Sequence, residues 1–147
     1  MKKIGLLNGP NLDRLGKRET SVYGSRTLSE IEVLASDRAK NLGLSLDIFQ
    51  SNHEGVLIDK IHEWTDTDFD GLIINPGGLT HTSVVLRDAI VASKLTTVEI
   101  HISNIHAREE FRQKSMISSV VNAVVAGMGI YGYLLAMDYL EKSLSTP

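Results

Sequence analysis

The sequence predicts an α/β fold built on a parallel sheet, and three observations carry that prediction. Short apolar runs of strand length alternate with segments of helical period all along the chain. Each apolar run stops at a cluster of turn residues. At 147 residues the chain has room for five strand–helix units around one good core, and too little for the eight units of a barrel.

The elements follow in order. "KIGLLN" (3–8) is a buried strand ended by Asn8, Gly9 and Pro10. "TLSEIEVLASDRAKNLG" (27–43) is a helix: Thr27 and Glu30 fit a capping box, and Leu28, Ile31, Ala35, Ala39 and Leu42 recur at helical spacing. Gly43 ends it. "LSLDIFQ" (44–50) is the second strand and "EGVLIDKIHEW" (54–64) a short amphipathic helix. "DGLIIN" (70–75) is the third strand, halted by Pro76 and two glycines. A helix over 82–93, a strand over 96–103, a strand over 122–127 and a closing helix over 130–144 complete the pattern. The expectation is one domain over residues 1–147, a flavodoxin-like three-layer sandwich with a five-stranded parallel sheet.

Composition narrows the function. A formal charge of −3 gives no basic face for nucleic acid, and no apolar run approaches the length of a membrane span. Without cysteine there is no disulfide, thiolate nucleophile or thiolate metal site. A cytoplasmic protein is expected.

In such sheets the site lies beyond the carboxyl ends of the strands. There the chain carries "NGPNL", "NPGGLTHTS" and "HISNIH". In the fourth strand, alternation puts Glu99, His101 and Ser103 on one face, opposite Val98, Ile100 and Ile102. A central parallel strand is apolar on both faces, so this line is either the wet face of an edge strand or a histidine held by a carboxylate for acid–base work. In "NPGG" the two glycines let backbone N–H groups approach an anion beside Asn75 and His81. His53 and His62 read as structural, and the run from His106 through Arg108, Glu109, Glu110 and Arg112 as a solvated helix face. "GMGIYG" (127–132) matches a dinucleotide fingerprint, but only 15 residues follow, so it reads as a tight turn. The histidines lack any zinc spacing and no carboxylate cluster suits magnesium, so no metal is expected. Lys94 and Lys114 lie outside the strand-end motifs, which argues against a Schiff base.

"GKRETSVYG" (16–24) places a tyrosine beside cations with no apolar period to bury it. By composition alone it is a solvated loop.

Taken together, "LNGPNL", the Arg18-to-Gly24 pattern R-x-x-x-x-Y-G, "NPGGLTHTS" and "EIHISNIHAREEFR" closely resemble the type II 3-dehydroquinate dehydratases, over nearly the whole chain and in the same order. The resemblance implies loss of water from 3-dehydroquinate to give 3-dehydroshikimate, by anti-elimination through an enolate, without cofactor or metal. It serves either aromatic amino acid biosynthesis through the shikimate pathway and chorismate, or quinate breakdown. It implies Tyr23 as the base, His101 as the acid, with Glu99 behind it, Arg18 as the stabilising cation and Asn11 as holder of a water. Asn75, His81, Ile102, Ser103 and Arg112 match substrate-binding positions, and Asp88 a residue reaching a neighbouring subunit of a dodecamer made of trimers. A free tyrosine, with a pKa of about 10, is a poor base near neutrality, and an adjacent cation favours its phenolate. Glycines at 16 and 24 suit a lid. Thr20 stands where a proline is common in the family, Met116 where an aromatic is frequent, and Thr96 and Thr97 where the lead is more apolar.

Other readings are a flavodoxin-like nucleotide- or flavin-binding domain without catalysis, a signalling receiver, and a hydrolase using Ser103 and His101. The first lacks a phosphate cradle after strand one, the second has only Asp13 there, and the third lacks a serine elbow.

Overall fold

Where apolar runs meet turn residues, the chain forms five strands: β1 (Lys3–Asn8), β2 (Ser45–Gln50), β3 (Gly71–Asn75), β4 (Thr96–His101) and β5 (Ala123–Ala126). The computed structural model describes residues 1–146; Pro147, the last residue of the expected domain, lies outside them. All pairings are parallel, in the order β2-β1-β3-β4-β5. The order reverses between β1 and β3, which opens the crevice that such sheets use for ligands.

Five helices accompany the sheet: α1 (Thr20–Tyr23), α2 (Leu28–Asn41), α3 (Glu54–Asp66), α4 (Val84–Ser93) and α5 (Tyr131–Ser145). The capping box is formed, with Thr27 Oγ1 accepting from the Glu30 backbone N–H at 3.2 Å. One core joins Ile31 and Ala35 of α2 and Tyr133 and Met137 of α5 to Ile4, Leu6, Ile73 and Ile100. The other joins Leu57, Ile61 and Trp64 of α3 and Leu86 and Ile90 of α4 to Leu7, Leu72 and Ile74. Period-2 alternation along buried strands thus feeds two helical layers, the three-layer sandwich expected. An Arg38–Asp138 ion pair, 2.8 Å at one of its two contacts, ties α2 to α5.

Three expectations need correction. The edge-strand alternative for the Glu99–His101 line fails, because β4 lies between β3 and β5 and both side chains are buried. The 105–112 stretch is two separate 3-10 turns, Ile105–Ala107 and Glu110–Arg112, and not one solvated helix face. And the supposed loop at 16–24 contains the single helical turn α1.

Candidate active site

The ends of β1, β3 and β4 surround a cavity of about 230 Å³. Two of its walls are loops packed against each other. A Cβ on Gly77, at φ +60°, would lie 2.8 Å from the Pro10 carbonyl oxygen. The first glycine of "NPGG" therefore serves loop-on-loop packing, and both glycines line the cavity.

On the β4 side, His101 is 6% exposed and Glu99 is fully buried. The His101 Nε2–H donates to Glu99 Oε2. Ser115 Oγ donates to the same oxygen at 3.0 Å, and Ser118 Oγ to Oε1 at 2.7 Å. Burial by itself would raise the Glu99 pKa; the hydrogen bonds from His101, Ser118 and Ser115 and the attraction of His101 outweigh it, holding the carboxyl below its ordinary value. With Nε2 committed to the carboxylate, Nδ1 is the His101 atom left to exchange a proton in the cavity.

The 16–24 segment supplies another part of the lining. Gly16 and Gly24 have φ +84° and +82°, and Glu19 also has positive φ, 37°. Gly24 combines its φ with ψ 175°, a region essentially reserved for glycine. This bracketed turn delivers Tyr23 to the cavity. Arg18 Nη2 donates to the Tyr23 hydroxyl at 3.4 Å, and the guanidinium carbon lies 4.8 Å from the ring centroid. A second cation comes closer. Arg108 Nη1 donates to the same hydroxyl at 2.7 Å and reaches Ser103 Oγ at 3.5 Å. The sequence reading missed Arg108, assigning it with Arg112 to a solvated face. Its signal was the irregular turn chemistry around Asn104, whose side chain caps the Ile105–Ala107 turn.

Among the other expected residues, Asn11, Asn75, His81, Ile102, Ser103 and Arg112 line the cavity. Asn11 begins a 3-10 turn in a left-handed conformation, φ 71°. The His81 Nδ1–H donates to the Lys114 carbonyl at 2.7 Å, which leaves Nε2 as an acceptor. Arg112 is steadied by Glu109 at 3.0 Å. No lysine lines the cavity. Among the described residues no group of three or more His, Cys, Asp or Glu side chains is placed to hold a metal ion.

Comparison with known proteins bears on this arrangement. The family described as Dehydroquinase class II matches residues 2–141. A 3-dehydroquinate dehydratase of Corynebacterium glutamicum is 57% identical over 140 residues, covering 95% of this chain and 96% of the relative. That of Thermotoga neapolitana is 49% identical over 140 residues, with 95% and 94% covered. The crystal structure of type II dehydroquinase from Butyrivibrio crossotus superposes with a TM-score of 0.93 at 41% identity, covering 95% of this chain and 97% of that one.

The chain belongs to the class II dehydroquinases.

In this dehydroquinase, Asp88 stands apart from the other expected site residues. It is exposed on α4 and absent from the cavity of its own chain. Its neighbours on that helix, Val84, Val85 and Val91, are about half exposed. His53, His62 and His106 are exposed and outside the cavity lining.

Proposed function

We propose that this dehydroquinase converts 3-dehydroquinate to 3-dehydroshikimate, with Tyr23 as base and His101 as acid. The observation that carries the reading is that two proton-handling side chains line one cavity: a tyrosine beside two guanidinium groups and a histidine backed by a buried carboxylate.

The Tyr23 oxygen takes the C2 proton, and the electron pair left behind moves into the carbonyl as an enolate. The carbonyl then re-forms, the C1–oxygen bond breaks, and His101 Nδ1 supplies the proton with which the hydroxyl leaves as water. Positive charge at Arg18 and Arg108, both on the Tyr23 hydroxyl, stabilises the enolate that develops in the cavity. Glu99 stabilises the imidazolium that must form before His101 can donate. Asn11 holds a water against the enolate oxygen, and Asn75, His81, Ser103, Arg112 and the backbone at Ile102 bind the hydroxyls and carboxylate. An anti-elimination requires base and acid on opposite faces of the substrate, so Tyr23 and His101 would flank the ring of a bound 3-dehydroquinate.

The reaction serves aromatic amino acid biosynthesis or quinate breakdown in the cytoplasm. The exposed apolar surface around Asp88 supports assembly of trimers into a dodecamer in which Asp88 serves a neighbour's site. The product has a conjugated enone that the substrate lacks. A rise in ultraviolet absorbance on mixing protein with 3-dehydroquinate is therefore expected; a flat trace would remove the proposal.

A further inference from the structure

Asn8 and Asn75 end adjacent strands and are register partners across β1 and β3. Alternation with Leu6 and Ile73 puts both side chains on the face covered by α2 and α5. Tyr133, in the first turn of α5, is fully buried there. Its hydroxyl accepts from Asn75 Nδ2 at 3.0 Å and donates to Asn8 Oδ1 at 2.6 Å. Asn75 lines the cavity, whereas Asn8 and Tyr133 do not.

The direction of this chain is fixed from one end. The Gly77 backbone N–H, which can only donate, lies 3.3 Å from Asn75 Oδ1. The amide nitrogen of Asn75 must then face Tyr133, so the phenol oxygen accepts on that side and sends its one proton to Asn8. Asn8 Nδ2 is left buried without a partner among the described residues. Turning the Asn8 amide over would not help, because it would set an N–H against the phenol O–H. Burial pushes the Tyr133 phenol far above its ordinary value, more than the Asn75 hydrogen bond lowers it, so the group stays a protonated donor. A buried donor left unmade at Asn8 is unfavourable, and it is the consequence of holding the other three groups in this order.

We infer that Tyr133 is a positioning residue: together with the Gly77 N–H it holds the Asn75 amide so that the cavity presents an amide N–H, and not a carbonyl, to an oxygen acceptor on the ligand. Its kinetic test rests on the proposed dehydration, and its spectroscopic test on the geometry alone.

Tyr133→Phe keeps the ring and removes the hydroxyl. KM for 3-dehydroquinate is expected to rise about three- to tenfold, with kcat within about twofold, as for the weakening of one ground-state hydrogen bond. In an Asn75→Ala background the same change should add less than about twofold, because the effect travels through Asn75. Equal rises in both backgrounds, or a rise in neither, overturn the inference. The Asn75 side-chain amide, assigned in a proton–nitrogen NMR spectrum by its loss in Asn75→Ala, reads the geometry without catalysis. In Tyr133→Phe its proton pair should shift and exchange faster with solvent; an unchanged pair overturns the inference. If the wild type shows no dehydration while the pair responds as stated, the proposed reaction fails and the positioning role stands. Should Tyr133→Phe not fold, Asn8→Ala removes the acceptor at the far end of the chain and must move the same pair, or the inference falls.

Discussion

His101 and Tyr23 line the same cavity, but the sheet holds one and two arginines hold the other. His101 closes an interior strand, and its partner Glu99 is tied by two serines from a segment packed over the sheet. Tyr23 sits on a four-residue helix with no buried residue, strung between two glycines of positive φ. Its polar contacts are the guanidiniums of Arg18 and Arg108. A segment with so little buried surface opens at low free-energy cost, whereas moving His101 would disrupt the sheet core. His101 is thus preorganised before a ligand arrives, whereas Tyr23, the proposed base, sits on the segment expected to act as a lid. Arg108 lies outside that segment, so under the proposed mechanism closing the segment would also bring Tyr23 onto its second guanidinium.

The contrast breaks most visibly at the phenol. Tyr23→Phe should lower kcat by ~10²–10⁴-fold with little change in KM, because only the proton-accepting oxygen is lost. Arg108→Ala should approach that loss and exceed Arg18→Ala, since its contact is the shorter, 2.7 Å against 3.4 Å. Steady-state kinetics of the three variants would reverse the assignment if Arg18→Ala proved the more damaging.

A smaller effect is expected on the rigid side. Glu99→Gln keeps the shape and removes the charge behind His101, so kcat should fall by less than the ~10²-fold that marks loss of an acid itself. Stability should respond as well. Because the folded-state Glu99 value is depressed, its ionised form contributes stability that is fully present above the unfolded carboxyl value of about 4.3 and is lost as pH falls through the folded value. Acid titration of melting temperature should therefore be flatter below that range in Glu99→Gln than in the wild type. Parallel titrations would discount the ionised carboxylate.

The smallest effect should come from Gly24→Ala. A Cβ there meets nothing within 4 Å, so the change acts only through backbone strain, of order 1–3 kcal/mol locally. On a segment that opens independently, the global melting temperature should hardly move while kcat drops through poorer closure. A large loss of melting temperature instead would mean that the lid is part of the cooperative core.

Most of the fold was legible because its signals are local. Thr27, Glu30 and Gly43 mark a helix whose ends lie where they predict, and "DGLIIN" stops at Pro76 as a buried strand should. The four expected helices, α2 to α5, begin and end within about two residues of expectation because caps and glycines act over one turn. In the site, Glu99 and His101 stood out as polar residues in an otherwise apolar strand. Arg108 did not. A cation beside Glu109, Glu110 and Arg112 is masked by its charged run, with only the Asn104 turn to mark it, and its partner lies 85 residues away in sequence. Tyr133 was equally hidden, since at its spacing it reads as one more apolar residue of α5.

By itself the sequence determined the element order, the two-sided burial of the sheet and the strand ends at which chemistry had to lie, because periodicity and turn residues are properties of neighbours in the chain. Its four motifs in series also carried the family. Tertiary structure decided which cation reaches Tyr23, which serines hold Glu99 and which way the Asn75 amide faces. Those are hydrogen bonds of fixed direction between distant segments, and direction exists only once the segments are packed.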